Sequence, residues 1–292
     1  MPPIITKELA ALPCRADDAH KGSVGRIAII GGCSGEVTMV GAVALAANAA
    51  MRSGAGLVRL FVPEALVAPA LVLAPTCTAC RHPRDAAGLL SAMFDFGADV
   101  AVIGPGLGES LPAEAVVEFI RKFPGPILVD ADGLNRLSES PGFAAAGDNR
   151  VILTPHPGEA ARLLASKGLS DAIGTDPTSR RQAALALTEQ YRCIVALKGR
   201  GTVVTNGERL YVNETGNSGM ATGGSGNVLT GVIAALIGQR MAPFEAAVLG
   251  VYLHGLAGDF AAEEYGRLSM TAEDIISFLP VAISEHDTQL EP

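Results

Sequence analysis

Short runs of β-branched and aliphatic residues alternate with longer stretches of helical periodicity through most of this chain. The first run, Arg26-Ile-Ala-Ile-Ile30, precedes an Ala-rich segment that predicts a helix from about Thr38 to Ser53, and Leu57-Val-Arg-Leu-Phe-Val62 follows. Val100-Ala-Val-Ile103, a helix from about Pro112 to Lys122, Ile127-Leu-Val-Asp130 and Val151-Ile-Leu153 continue the rhythm. Helices near Glu159 to Ala165 and about Thr178 to Tyr191 come next, then strands at Ile194–Lys198, Thr202–Thr205 and Leu210–Val212. Asn206-Gly207 joins the last two as the strongest hairpin signal of the chain.

Beyond the hairpin the pattern is helical, from about Gly226 to Ile237, Pro243 to Tyr265 and Thr271 to Leu279, with a frayed tail expected from Glu285 to Pro292. The first two of these helices are apolar on nearly every face, which predicts burial against a sheet. The expectation is an α/β fold: one domain over residues 1–292 with its core at about 20–280, a mostly parallel sheet between helices, and one small hairpin.

Composition fits that architecture. Of 292 residues 49% are hydrophobic but only 4% aromatic, with no Trp, so Ala, Val, Leu, Ile and Gly must build the core. The net charge of −8, without a basic run, argues against a nucleic-acid partner. Five cysteines, an odd number, do not form a secreted disulfide framework, and a reducing cytoplasm is expected. Cys77-Thr-Ala-Cys80 has redox or zinc spacing without a second pair, and ordinary small side chains explain it better. Asn48, Arg52, Pro69 and Pro75 break the longest apolar runs, so no membrane span is expected.

Glycines and polar residues follow the strands at their carboxyl ends: Gly31-Gly32, Gly104-Pro-Gly106, Asp130-Ala-Asp132, Thr154-Pro-His-Pro-Gly158 and Lys198-Gly199. In an open parallel sheet the ligand crevice lies at those ends, so these five loops are expected to share one rim. Neither G-x-G-x-x-G nor G-x-x-x-x-G-K-[ST] occurs, so neither a dinucleotide Rossmann site nor a P-loop is supported.

The glycine-rich run Asn217-Ser-Gly-Met-Ala-Thr-Gly-Gly-Ser-Gly-Asn-Val-Leu-Thr-Gly231 leads straight into an apolar helix. Gly223, Gly224, Ser225 and Gly226 thus form a candidate anion hole at a helix N-terminus, where free amides meet the positive end of the dipole. A plain turn capped by Ser225 or Asn227 is the bland alternative. His156, between two prolines, reads as a substrate contact or a structural imidazole. Lys198-Gly-Arg-Gly-Thr202 reads as a nucleotide contact or as a lysine with its stem over apolar surface. Asp130, Asp132 and Asn135 can take a proton, hold Mg²⁺ through water or cap a turn, and are not assigned to catalysis.

His20–Arg26, Arg52–Leu57, Gly104–Gly108, Thr154–Glu159, Gly216–Gly226 and Gly250–Gly258 together resemble the ADP/ATP-dependent NAD(P)H-hydrate dehydratases, which have a ribokinase-like fold. The resemblance runs from about His20 to Leu279. It implies repair of hydrated NADH or NADPH (NADHX, NADPHX) with ADP or ATP as co-substrate and Mg²⁺. It places dinucleotide contacts on Ala42, Gly106, His156 and Asn227, and contacts to the AMP moiety on Lys198, Gly199, Arg200, Gly201, Thr202 and Gly226. It also implies a homo-oligomer and a functional link to an NAD(P)HX epimerase, expected as a separate chain because only about 20 residues precede the first motif.

One position departs from the pattern. Ribokinase-like relatives usually have Asp, the base that deprotonates the attacking hydroxyl, where Asn227 stands. An amide orients a hydroxyl but does not accept its proton near neutral pH, so Asn227 predicts a slowed enzyme. A small-molecule kinase of the same fold, or a nucleotide-binding protein without turnover, are the competing readings.

Overall fold

A computed structural model describes residues 3–140, 142–165, 168, 174 and 176–290. Strands β1 (Ile4–Ile5), β2 (Arg26–Ile30), β3 (Leu57–Val62), β4 (Thr78–Arg81) and β5 (Val100–Ile103) alternate with helices α1 (Val40–Arg52), α2 (Val67–Leu73) and α3 (Ala86–Phe96). Helices α4 (Ala113–Lys122), α5 (Asp132–Ser138), α6 (Pro157–Leu164) and α7 (Pro177–Tyr191) separate β5, β6 (Ile127–Val129), β7 (Val151–Leu153) and β8 (Ile194–Leu197). The hairpin β9 (Val203–Thr205) and β10 (Arg209–Val212) follows, then α8 (Ser225–Gly238), α9 (Pro243–Tyr265) and α10 (Ala272–Leu290).

The strands form one sheet in the order β1-β10-β9-β8-β7-β6-β5-β2-β3-β4. Among the described residues only β9 runs antiparallel to its neighbours, β8 and β10, as the Asn206-Gly207 turn requires. Asn206 Oδ1 accepts from the amides of Glu208 and Arg209 and closes that turn. The inner strands of the sheet are buried on both faces, which is why they read as largely unbroken apolar runs. Ile27 and Ile29 point into a core shared with α1, α8, α9 and α10. Ala28 and Ile30 point into a second core, built with residues of α3, α4, α6 and α7.

The strand order reverses between β2 and β5: β3 and β4 extend the sheet to one side, β6, β7 and β8 to the other. A switch of this kind opens a crevice at the carboxyl ends of the two strands. Helix α8 lies along α1 beneath the sheet. Their backbones approach so closely at Gly231 that a methyl group there would collide with the Ala46 carbonyl, and the start of α8 meets the rim at Gly226, beside Lys198.

Two sequence expectations are corrected here. The expected frayed tail is helical as far as Leu290, because α10 continues through Pro280. Ile275, Leu279, Ala282 and His286 form one buried stripe, and His286 Nε2 hydrogen-bonds the Ala10 carbonyl at 2.9 Å. Pro69 does not break its segment: it lies in the first turn of α2, where no intrahelical amide is required. Cys77 directly precedes the edge strand β4 and Cys80 lies within it, and burial raises both thiols above their ordinary range.

Candidate functional site

The five loops expected to converge follow β2, β5, β6, β7 and β8, which are adjacent in the sheet and parallel. At the switch point the backbones lock together. The Gly32 amide donates to the Pro105 carbonyl at 2.9 Å and the Gly104 amide to Ile30 at 3.0 Å. Gly106 has φ +60, and a methyl group on it would lie 2.7 Å from the Met39 carbonyl oxygen and 3.0 Å from Ala42 Cβ. Ala42 and Gly106 are 64 positions apart in sequence, yet they form one small-residue wall at the start of α1. Bulk at Gly106 would collide with Met39 and Ala42.

Three strands of the sheet, β6, β7 and β8, end on the other half of the rim with charged or polar groups. Asp130, after β6, is only 1% exposed and accepts from Thr154 Oγ1 at 2.8 Å, Lys198 Nζ at 2.6 Å and Thr230 Oγ1 at 2.9 Å. Lys198 Nζ also lies 3.8 Å from Glu159 Oε2. Its ammonium stands against the first turn of α8, where a methyl group on Gly226 would be 3.2 Å away. The stem of Lys198 is buried, but its head is fixed in the rim, so both parts of the sequence reading hold for different atoms.

The glycine-rich run shapes the start of α8. Gly224, with φ +93, is its N-cap, and any side chain there would strike Leu45 of α1. The Ser225 amide turns back to Thr222 at 3.5 Å and the Asn227 amide to Gly224 at 3.0 Å. Among the described residues no acceptor pairs with the amides of Gly223, Gly224 and Gly226, the donors an anion would meet. The Ser225 hydroxyl faces inward, 3.4 Å from His254 Nε2. Burial, with Lys198 nearby, pushes the His254 imidazole down to about 4. Asn227 is half-buried in the first turn, and no partner among the described residues holds its side-chain amide.

His156 is the N-cap of α6, its Nδ1 accepting from the amides of Gly158 at 3.0 Å and Glu159 at 3.3 Å. Glu159 completes a capping box by accepting from the His156 amide at 2.7 Å. With Nδ1 occupied the ring proton sits on Nε2, 3.3 Å from Glu159 Oε1. The ring is half-exposed at the rim and can donate or stack, but it holds no free nitrogen with which to take a proton.

The loop Lys198–Thr202 is held from below by Arg180 of α7, which donates to the carbonyls of Leu197 and Lys198, both at 3.0 Å. Burial depresses the Arg180 guanidinium. Thr202 Oγ1 closes the loop on the Gly199 carbonyl at 3.0 Å, leaving Arg200 exposed beside Gly199 and Gly201. Arg180 went unnoticed in the sequence because nothing marks a helix residue that reaches under a distant loop. Asp132 accepts from the Gly108 amide at 2.8 Å and from Asn135 at 3.1 Å, tying α5 to the crevice wall.

This geometry has known counterparts. A family model described as NAD(P)H-hydrate dehydratase matches residues 27–281. The ADP-dependent (S)-NAD(P)H-hydrate dehydratase of Neisseria meningitidis is 37% identical over 262 residues, covering 86% of this chain and 82% of that one. The bifunctional NAD(P)H-hydrate repair enzyme of Moorella thermoacetica is 38% identical over 289 residues, covering 96% of this chain but 53% of its own length. The chain therefore spans about half the length of the bifunctional relatives it matches.

Among solved structures, a ribokinase-like superfamily protein of Enterococcus faecalis superposes with a TM-score of 0.78 at 25% identity, covering 94% of this chain and 92% of that one. The ADP/ATP-dependent NAD(P)H-hydrate dehydratase of Bacillus subtilis, co-crystallised with ATP and Mg²⁺, gives 0.77 at 28% identity, covering 94% and 95%. With its ribokinase-like sheet, its glycine-led helix and its matched length, the chain belongs to the NAD(P)H-hydrate dehydratase family.

Proposed function

We propose that this protein restores NADH and NADPH from their hydrates with ADP or ATP as phosphoryl donor. The observation that carries the reading is the start of α8, where the unpaired Gly226 amide stands beside the Lys198 ammonium on the rim that also holds Ala42 and Gly106. The ring hydroxyl of the hydrate attacks the terminal phosphoryl group; the new oxygen–phosphorus bond forms as the bond to AMP (from ADP) or ADP (from ATP) breaks. The hydroxyl proton passes to water; the ring nitrogen then supplies electrons, the carbon–oxygen bond breaks, phosphate leaves, and the adjacent ring carbon gives up a proton, which restores the dihydronicotinamide. Hydroxide is a poor leaving group and phosphate a good one, which is the reason for spending a nucleotide.

On this reading the Gly223–Gly226 amides and Lys198 meet the charge growing on the transferred group, where phosphoryl transfer gains most of its rate. Gly199, Arg200, Gly201 and Thr202 line the nucleotide side, Ala42, Gly106 and His156 the dinucleotide side. Among the described residues no cluster of three or more His, Cys, Asp or Glu could cage a metal ion. The residues present fit Mg²⁺ carried on nucleotide phosphates, with Glu159 reaching it at most through water, since Asp130 is fully engaged and both Glu159 oxygens already face His156. When bound, the ion would neutralise phosphate charge.

Asn227 stands at the position of the expected base. Its amide orients the hydroxyl, and His156 does not replace it because Nδ1 is committed to its cap. The reaction is therefore slow, short of its general-base contribution of about 10²–10⁴-fold. An NAD(P)HX epimerase is the functional partner, in keeping with the word bifunctional in the relatives' names, and assembly as a homo-oligomer belongs to the same proposal.

The test incubates hydrated NADH with ADP or ATP and Mg²⁺, follows the dihydronicotinamide absorbance, and identifies products by mass. NADH and phosphate are expected. A stable phosphorylated dinucleotide would indicate a kinase, and tight ADP binding with no product a binding protein.

A further inference from the structure

Asp130 is the most heavily engaged side chain of the rim, and its sequence context suggested a cap as readily as chemistry. It does not cap: the N-cap of α5 is Ala131, without a side-chain cap bond. Instead its carboxylate gathers donors from three elements. Thr154 follows β7, Lys198 follows β8, and Thr230 lies one turn into α8, with its hydroxyl also 3.1 Å from the Gly226 carbonyl.

We propose that Asp130 is a positioning residue for phosphoryl transfer, holding the Lys198 ammonium against Gly226 and tying the first turn of α8 to the sheet through Thr230. The inference rests on the nucleotide reading of the site. A lysine head on a flexible stem follows water unless something fixes it. Here Arg180 fixes the backbone at Lys198 and Asp130 fixes the head, leaving the lysine side chain only 16% exposed. A negative group so close to an anion site lowers its raw attraction for phosphate. The compensation is a donor already in place, which needs no reorganisation when charge moves.

The two effects predict opposite outcomes. If Asp130 only neutralised charge, Asp130→Asn would tighten ADP binding. If it positions, the same change weakens binding and slows transfer. The experiment compares wild type, Asp130→Asn, Lys198→Met, the double variant and Thr230→Val, by calorimetry with ADP and by kcat and KM for hydrated NADH.

Asp130→Asn is expected to lower both ADP affinity and kcat by about 10- to 100-fold, the range for a hydrogen bond to a charged group, and to leave the dinucleotide KM within about twofold. Lys198→Met should lose more, about 10²–10³-fold in kcat, the double variant no more than Lys198→Met alone, and Thr230→Val less than Asp130→Asn. Unchanged or tighter ADP binding in Asp130→Asn would overturn the proposal, as would a loss added in full on top of Lys198→Met.

Should Asp130→Asn not fold, the double variant removes both charges and leaves none unpaired. Equality of the double variant with Lys198→Met then supports the role, and a further loss contradicts it. If wild type binds no ADP, the nucleotide reading itself fails and takes this inference with it.

Discussion

The two halves of the rim are built by opposite means. Between β2 and β5 the crevice is shaped by backbone and small residues: Gly31, Gly104 and Gly106 let main chains approach too closely for a side chain, and with Gly32 and Ala42 they bring no charge. Between β6 and β8 the surface is made by side chains, with Asp130, Lys198, Glu159 and Arg180 interlocked beneath the start of α8. A steric mould suits a flat, largely uncharged ring, whereas a phosphoryl group needs fixed donors. The difference is what a site for two unlike ligands requires, and it makes the halves separable by mutation.

Lys198→Met should break the charged half, lowering turnover by about 10²–10³-fold, the cost typical of losing one preorganised donor to developing charge. Rates at saturating hydrated NADH check it, and the dinucleotide KM should barely move. Gly106→Val breaks the other half: the side chain is strained at φ +60 and meets Met39 and Ala42. It should cost about 1–3 kcal/mol of stability in urea unfolding and raise the dinucleotide KM while leaving ADP affinity intact.

His156→Ala sharpens the boundary between the halves. Removing the cap should cost about 0.5–2 kcal/mol, and His156→Asn, which retains an acceptor, less. The smallest effect is in pH. His254 is depressed from its ordinary 6.5 to about 4, so the unfolded chain binds a proton between those values that the folded chain does not. Its contribution to stability is complete above about pH 6.5 and is lost as pH falls toward about 4. Unfolding curves near pH 7 and near pH 5 should therefore differ less for His254→Gln than for wild type.

The glycine half was legible in the sequence because glycines at strand ends punctuate the pattern wherever the strands later fall. The hairpin was legible for a similar local reason: Asn206-Gly207 carries its turn within itself. The charged half was only partly so. Lys198 stood out by its glycines, but its partner Asp130 is 68 positions away and Thr230 lies 100 beyond Asp130, and only the strand order brings them together. His156 was noticed for its prolines, yet its capping role depends on the backbone turn that those prolines help set. The run of α10 past Pro280 depends on packing against Tyr252 and Ala10, which local pattern does not carry.

The central claim is that the first turn of α8 is where phosphoryl transfer occurs and that Asn227 stands in the place of its base. Single-turnover conversion of hydrated NADH with ADP and Mg²⁺, for wild type and Asn227→Asp side by side, tests it most directly. A rise of about 10²–10⁴-fold in Asn227→Asp, with ADP affinity little changed, is the predicted result. Equal rates in the two proteins, or no conversion by either, would contradict it.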